Sequence, residues 1–288
     1  MASILDRYGI KEVADVTFYT INSDGTRGVP ALYLDTLKVS TIEQTAETSD
    51  ARGGKGNPKL ITWDYGKEIT VNIEDALFSS KSLAIMFGNG KVDNTAGNVT
   101  KTVMVRADSN GKLPNYFVAD VYDATAGSAK KKVFMGSGTS TPEGMITFTE
   151  SKLKLVSATK EDGTVLQPDG ENDTFTFAEW STVTVGQGEK VFITYEVAAQ
   201  KKTITVSGDS FPGTYYIVGD TYARSDVDGS DQFFQFIIPK AKVTSENTIT
   251  LEAEGDPSTF SMNLTVLRPE SGNMMELVQY DIANTTAN

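Results

Sequence analysis

Short runs of alternating hydrophobic and polar residues, separated by turn sequences, extend along most of the chain. In residues 67–73, Ile69, Val71 and Ile73 alternate with polar residues, a period of two that is typical of a strand with one buried face. The runs 60–65 and 67–73 are expected to pair with each other around Gly66. Strands are predicted over residues 13–21, 31–39, 60–65, 67–73, 99–105, 116–122, 132–135, 145–148, 153–158, 175–177, 191–197, 201–206, 211–218, 232–239, 247–253 and 258–267.

One short segment has helical spacing instead. A serine cap before it and a glycine after it delimit a helix over residues 81–87. Leu83, Met86 and Phe87 lie at positions i, i+3 and i+4 and therefore share one face. We expect this apolar face to be buried and to pack the helix against the sheet.

Residues 40–58 show neither pattern. The segment is polar, and three glycines and a proline follow Ala51, which opposes regular structure. The run from Arg52 to Gly56 looks like a phosphate-binding loop, but it lacks the Gly-Lys-Ser/Thr ending that opens a helix. That run is therefore predicted to be a mobile, basic interaction loop, and residues 40–58 as a whole are expected to be disordered in the monomer.

The strand pattern also predicts how the chain is organised. Residues 1–98 and 191–288 are expected to form one β-rich core. Residues 99–190 are richer in turns and are either an inserted β-subdomain or elongated loops of the same barrel. Both interpretations are consistent with an all-β fold.

Composition supports that fold class and removes several kinds of chemistry. Thr, Val and Ile are abundant, and β-branched side chains pack well on a pleated sheet. The chain has no Cys and no His, which excludes disulfides, thiolate metal sites and the catalytic triads that need either residue. We therefore expect a non-enzyme with no catalytic residues, no cofactor and no metal.

Charge adds a constraint on partners. There are 26 basic and 38 acidic residues, giving a formal net charge of −12, and a negative surface repels phosphates. No run approaches the roughly 18 apolar residues that cross a bilayer, and the N-terminal residues lack the apolar run of a signal peptide. Tight nucleic-acid binding and membrane insertion are therefore not expected. The protein is expected to be synthesised and retained in a cytoplasm.

Two acidic motifs have structural explanations. The segment Asp226–Asp231 begins like a calcium-binding loop, but its glycine comes too early and no helices flank it, so a hairpin turn is predicted. The pairs Glu74/Asp75 and Glu252/Glu254 could serve a carboxylate hydrolase. Such pairs arise by chance in an acidic chain, and a hydrolase is the weaker interpretation.

Several runs together resemble the major tail tube proteins of long-tailed bacteriophages. The resemblance covers about residues 10–90 and 190–280 and does not extend to residues 100–190. The runs that carry it are ARGGKGNPKL (51–60), DYGKEITVNIEDALF (64–78), MFG (86–88), FPGTY (211–215), VGDTYAR (218–224), FIIPKAK (236–242) and EAEGDP (252–257).

The resemblance implies a β-sandwich or β-barrel of tail-tube type with one short flanking helix. It implies rings, commonly hexameric, that stack into a tube around the tape-measure protein and later let the genome pass. The implied location is the virion tail, after assembly in the host cytoplasm. The implied partners are further copies of the chain, the tape-measure protein, the sheath of a contractile tail, the baseplate or tail tip, and the tail terminator, with DNA passing through without tight binding.

Two groups of residues are assigned to assembly on this basis. The acidic group is expected to line the lumen, where like charge would keep DNA from sticking. The loop group is expected to order only at the contact between rings. The loop group is Arg52, Gly53, Gly54, Lys55 and Gly56, and the lumen group is Glu252, Glu254 and Asp256.

Two alternatives remain open on the sequence. One is the tube subunit of a tailocin or a secretion system, which would share the fold without a genome. The other is a carbohydrate-binding β-sandwich or adhesin, in which Trp63, Tyr65 and Trp180 would stack on sugar rings.

Overall fold

The computed structural model describes residues 7–10, 12–88, 90–123, 127–135, 142–147, 151, 153–166, 180, 183–227, 229–244, 249 and 259–280. The chain divides into two compact units, Met1–Asp93 with Thr203–Asn288 and Asn94–Lys202. The divisions fall at 93/94 and 202/203 rather than at 98/99 and 190/191. The roles of the first unit as a tail-tube core and of the second as an insertion stay predictions.

Most of the described residues are in β-strands, which confirms the predicted all-β fold with one short helix. The elements are β1 (Tyr8–Ile10), β2 (Asp15–Ile21), β3 (Arg27–Leu34), β4 (Leu37–Arg52), β5 (Lys59–Asp75), α1 (Ser80–Phe87), β6 (Asp93–Arg106), β7 (Tyr116–Asp123), β8 (Gly127–Phe134), β9 (Met145–Ile146), β10 (Leu153–Lys160), β11 (Lys190–Thr203), β12 (Thr214–Ser225), β13 (Asp231–Val243), β14 (Phe260–Val266) and β15 (Glu276–Tyr280).

A nine-stranded antiparallel sheet forms the first unit. Its strand order is β3-β2-β12-β13-β14-β5-β4, with β1 paired to β12 and β15 paired to β13. Among the described residues, no pairing joins β3 to β4, so a single chain does not close this sheet into a barrel. The end strand β4 pairs only with β5 there, and its outer edge therefore offers free backbone hydrogen-bonding groups.

One face of this sheet carries the hydrophobic core of the unit. Gly219 lies on that face opposite Phe236, where a Cβ atom would come within 2.1 Å of the Phe236 ring. A glycine is therefore required for the ring to lie flat across β12. The buried core residues are Ala14, Val16, Phe18, Leu32, Leu34, Leu37, Ile69, Val71, Ile73, Ile85, Met86, Tyr215, Ile217, Phe236, Ile238, Ala241, Val243, Met262, Leu264 and Val266.

Three predictions in the first third of the chain are wrong. The run 31–39 spans the end of β3 and the start of β4 rather than one strand. The runs 60–65 and 67–73 belong to the single strand β5, because Gly66 adopts a φ of +61° without ending the strand. Residues 40–52, predicted as loop, form most of β4, whose polar side chains carry no hydrophobic period because little of the strand is buried.

The helix is confirmed, with a shifted buried face. The Ser79 hydroxyl accepts a hydrogen bond from the Ser82 backbone N–H at 3.0 Å, and the Ser82 hydroxyl accepts one from the Ser79 N–H at 2.8 Å, forming a capping box. Ile85 and Met86 are buried, whereas Phe87 is only partly buried against the core. Leu83, predicted to be buried, is likewise only partly buried.

The second unit contains two three-stranded sheets, β10-β11-β6 and β7-β8-β9. An exposed ion cluster joins β6 to the other sheet, with the Lys101 amine 2.6 Å and the Lys130 amine 3.2 Å from the Asp120 carboxylate. The buried core of this unit is Val105, Ala107, Phe117, Ala119, Val121, Val133, Met135, Leu153, Leu155, Ala158, Trp180, Val185, Val191, Ile193 and Tyr195.

The predicted hairpin turn at Asp226–Asp231 is confirmed. It connects β12 to β13, and the Ser225 N–H donates to the Ser230 carbonyl at 2.9 Å. The Arg224 guanidinium donates to both carboxylate oxygens of Asp231, at 2.6 and 2.8 Å. These contacts close the hairpin and give the Asp231 carboxylate a cationic partner on the facing strand.

Truncation of the helix core should be costly. Ile85 is fully buried, so Ile85→Ala should lower the free energy of unfolding by about 2–5 kcal/mol, as expected for a buried Ile that leaves a cavity. Leu83 lies on a different face of the helix and is only partly buried. Leu83→Ala is therefore the matched control and should lower the free energy of unfolding by clearly less. Chemical denaturation of the two variants measures both values, and equal losses would show that the helix does not pack through Ile85.

Candidate functional site

The longest hairpin of the first unit projects beyond the core as an arm, defined here as residues 45–68. It consists of the outer parts of β4 and β5, which pair from Thr45 opposite Glu68 to Arg52 opposite Lys59. Every β5 residue from Lys59 to Glu68 is exposed, and the first buried residue of the strand is Ile69. The arm is therefore a two-stranded ribbon with both faces largely in solvent.

Glycines determine the shape of the arm at two places. At the tip, Gly54 and Gly56 adopt φ values of +84° and +85°, a left-handed conformation that glycine adopts at little cost. Near the root, the pairing register shifts between Thr45 and Glu47 opposite Gly66, and such a bulge bends and twists a ribbon. The sequence thus forms an extended, hydrogen-bonded hairpin with a tight turn, rather than the predicted loop.

One face of the arm is apolar and aromatic. Ile61, Trp63 and Tyr65 alternate along β5 and are 54%, 54% and 53% exposed. Their partners across the ribbon are Ala51, Ser49 and Glu47, so the aromatic row lies beside small or polar side chains. Ile61, Trp63, Tyr65 and Ala51 are called the aromatic face below.

The other face of the arm is charged and centred on Asp50. Its carboxylate lies 2.7 Å from the Lys59 amine and 3.3 Å from the Arg52 guanidinium, and it accepts a 2.8 Å hydrogen bond from the Thr62 hydroxyl. The hydrogen bond from Lys59, followed by that from Thr62, holds the pKa of Asp50 below its ordinary value. With Lys55 in the turn, basic groups outnumber acidic ones at the tip.

An arm of this kind is poorly stabilised by its own contacts. A two-stranded ribbon in water is marginal, and contiguous exposed aromatic side chains mark interaction surfaces. The arm buries almost nothing, yet it places three large apolar side chains in one row. Its composition therefore favours burial against another surface.

A second surface lies on the side of the sheet opposite the core. There β4, β5, β14 and the end of β13 present a concave depression of about 770 Å³. The Asn72 amide donates to the Asn263 side-chain oxygen across this surface. Its polar lining residues, called the polar face below, are Thr41, Glu43, Thr70, Asn72, Thr244, Asn263 and Thr265.

The polar face carries little net charge. Glu43, Thr70, Thr265 and Lys242 lie side by side in successive strands, so one acidic and one basic residue stand at the two ends of that row. The remaining side chains are hydroxyls and amides. Such a surface presents hydrogen-bonding groups without a strong field of either sign.

The structure places one predicted site group and leaves the other outside the described residues. Arg52 ends β4, and Gly53, Gly54, Lys55 and Gly56 form the turn at the arm tip. Glu252, Glu254 and Asp256 lie outside the described residues. The role of both groups in assembly stays a prediction.

The sequence predicts a strand over residues 60–65 and names Trp63 and Tyr65 only as a possible sugar platform, so the row of Ile61, Trp63 and Tyr65 on an arm is a finding of the structure. Alternation alone does not distinguish a strand face that is buried in the core of the same chain from one that is exposed to solvent.

The sugar-binding and hydrolase alternatives can be compared with the structure, in which Trp63 and Tyr65 are exposed. Trp180 is buried, and its indole N–H donates to the Pro114 carbonyl at 2.9 Å, so it offers no platform for a sugar. Glu74 and Asp75 are neighbours on a strand and point to opposite faces, with Asp75 accepting a 2.5 Å hydrogen bond from Thr36. In the described part of the chain, no cluster of three acidic side chains is arranged for a metal ion.

Among the described residues, no helix is both long enough and apolar enough to cross a bilayer. The fold and the two surfaces define an all-β protein with one short helix and a long exposed hairpin. Comparison with family models gives a specific assignment: the YomU/Tube protein family model matches residues 8–127 and 123–278. The chain belongs to this family, which confirms the resemblance to phage tube proteins. No curated protein matched the chain.

The ion cluster on the arm yields a pH prediction. Because the pKa of Asp50 is lowered by its partners, its contribution to arm stability is present above the unfolded value of about 4. That contribution is lost as the pH falls through the folded pKa. Lys59→Met should raise the Asp50 midpoint measured by NMR titration of the carboxyl carbon, whereas Lys38→Met should leave it unchanged. If the titration midpoint of Asp50 is the same in the Lys59→Met variant as in the parent chain, the ion pair does not form in solution.

Proposed function

We propose that this protein is the subunit of a phage tail tube, in which rings of the chain stack around a lumen. The observation that carries the proposal is the arm, an exposed two-stranded ribbon with an aromatic face, in a chain of the YomU/Tube family. In a single chain the aromatic face of the arm stays in solvent, whereas stacking of subunits would bury it. The family membership supports a structural role rather than an enzymatic one.

Within a ring, we infer that the free edge of β4 pairs with the sheet of the neighbouring copy. Edge strands that stay open promote uncontrolled association, and addition of a strand from another chain satisfies their N–H and C=O groups. Six copies joined in this way would close the sheet that one copy leaves open. The polar face lies on β4, β5, β14 and β13, and in the closed ring it would line the lumen.

The chemistry of the polar face suits the transit of DNA and of the tape-measure protein. Hydroxyl and amide groups keep the surface hydrated, and a near-neutral field gives phosphates no row of cations to bind. The acidic excess of the chain, −12 in total, adds repulsion. DNA would therefore pass without being held.

Removal of the arm tip should abolish tube formation without unfolding the subunit. Residues 49–57 contribute almost nothing to the core, so their deletion, with a short turn in their place, should leave the circular dichroism and thermal transition close to those of the parent chain. Electron micrographs should then show no tubes. A matched deletion-free variant, Lys55→Ala, should still polymerise. Tubes of normal length from the deleted chain would contradict the role of the arm.

Assembled tubes should show no measurable affinity for duplex DNA even at low salt. Thr41→Lys with Thr265→Lys adds two cations per subunit to the polar face, and DNA should then be retained with an affinity that falls steeply as salt rises. Thr41→Glu with Thr265→Glu is the control of opposite sign and should retain none. Salt-sensitive DNA binding by the unmodified tubes would contradict the account of the lumen.

A further inference from the structure

We propose that Gly66 is a positioning residue for assembly, because the bulge that it forms determines which face of the arm carries the aromatic row of Ile61, Trp63 and Tyr65. The inference rests on the proposed function, in which stacking of subunits buries that row. Three features carry it: an extra residue in β5, the left-handed backbone of Gly66, and the charges that a different register would place in the row.

At the root of the arm, β5 has one residue more than β4. The pairs Thr45–Glu68 and Glu47–Tyr65 enclose one residue of β4 but two residues of β5. Gly66 is the first of these two and has a φ of +61°. Two residues opposite one, with a left-handed glycine as the first, form a recurrent type of β-bulge. The extra residue is therefore a defined bulge rather than a break in the ladder.

The bulge changes the phase of alternation along β5. Tyr65 and Ile69 are four residues apart, so in a regular strand they would share the core face. The extra residue instead puts Tyr65 on the same face as Thr70, because their partners Glu47 and Glu43 are four residues apart on β4, which has no extra residue there. Thr70 and Glu43 line the polar face. The aromatic row therefore lies on the same side of the β4–β5 ladder as the polar face.

The backbone of Gly66, and not a lack of space, requires a glycine there. A Cβ atom added to Gly66 would lie 3.8 Å from the nearest side-chain atom, the Cγ of Glu47, which is an ordinary van der Waals distance. A φ near +60° is an outlier for a β-branched residue, whereas asparagine adopts it more readily. A substitution at this position therefore acts through the preferred backbone conformation.

Without the bulge, the arm would have a different register. Counted on from the last pair before the bulge, Trp63 would lie opposite Asp50 instead of Ser49, and Ile61 would lie opposite Arg52. A slip of one residue moves every side chain of a strand to the other face. The aromatic row would then have two charged neighbours, and burial of the row would remove those charges from water at a cost.

The observed register keeps the apolar and charged side chains apart. On the face opposite the row, the Asp50 carboxylate lies 2.7 Å from the Lys59 amine and accepts a hydrogen bond from the Thr62 hydroxyl at 2.8 Å. The arm is therefore amphipathic, and this separation depends on the bulge. A neighbouring subunit can cover the aromatic row without covering the Asp50 ion cluster.

Three variants at this position separate register from shape. Gly66→Val should favour the slipped register, because a β-branched residue resists a positive φ. Gly66→Asn is the matched control, because asparagine accepts that φ. Deletion of Gly66 removes the bulge yet keeps Trp63 opposite Ser49, because it takes out the residue that β5 has in excess.

NMR contacts between backbone protons across the arm report the register in the unassembled subunit. Gly66→Val should lose the contact between Ser49 and Trp63 and gain one between Asp50 and Trp63. Gly66→Asn and the deletion variant should keep the parental contact. The methyl signals of Ile69, which is buried in the core, show whether the core is unchanged in all three chains.

Electron micrographs then connect the register with assembly. Gly66→Asn and the deletion variant should form tubes, and Gly66→Val should form none. Tubes from Gly66→Val in the slipped register would overturn the proposal, because the face of the arm would then not matter. Loss of tubes from the deletion variant in the parental register would also overturn it, because assembly would then need the bend of the arm rather than its register.

The proposal and the proposed function fail in different ways. Gly66 does not set the register if Gly66→Val keeps the contact between Ser49 and Trp63, or loses it without gaining the one between Asp50 and Trp63. Either result would overturn the proposal and leave the tube function standing. Failure of the parent chain to form rings or tubes, free or on a tail-tip platform, would overturn the proposed function and, with it, the role of Gly66 in assembly.

Discussion

The pairing of β4 with β5 is the interaction on which the rest of the structure depends. At its inner end this ladder is part of the nine-stranded sheet and carries Ile69, Val71 and Ile73 into the core. At its outer end the same ladder leaves the core and continues as the arm. One continuous set of hydrogen bonds therefore connects the stable part of the subunit to the part that we assign to assembly.

That continuity explains why the arm can be exposed without being unstructured. An isolated two-stranded ribbon is marginal in water, but this one grows from a sheet whose register is already fixed by buried side chains. The Asp50 ion cluster and the left-handed glycines at the tip close its far end. The aromatic face is then held in a defined orientation, and the outer edge of β4 is presented for pairing.

Much of the fold was predictable from the sequence because its signals are local. The alternation in 67–73, the helix cap at Ser79 and the turn at Asp226–Asp231 depend on neighbours in the chain, and all three agree with the structure. The polar strand over residues 40–52 was not predictable, because a strand with no buried face has no hydrophobic period. These residues are in a strand because they pair with β5, and that pairing continues along the whole hairpin as far as Arg52 opposite Lys59.

The candidate site was only partly predictable for a related reason. The glycines at the arm tip indicate a turn, but they do not show that the turn stands at the end of a long paired ribbon. The exposure of Leu77 and Phe78 has no sequence pattern, since it depends on how Asp75 holds the chain after β5. The polar face is assembled from four strands that are distant in sequence, such as Asn72 and Asn263, and only the sheet order brings them together.

The most direct test of the central claim, that this chain builds a tube through its arm, is an electron cryomicroscopy reconstruction of the purified, assembled protein. The account predicts a hollow tube of stacked rings in which residues 45–68 of each subunit lie against a subunit of the adjacent ring, with Trp63 buried. Particles that remain monomeric, or tubes in which the arms extend freely into solvent, would contradict it.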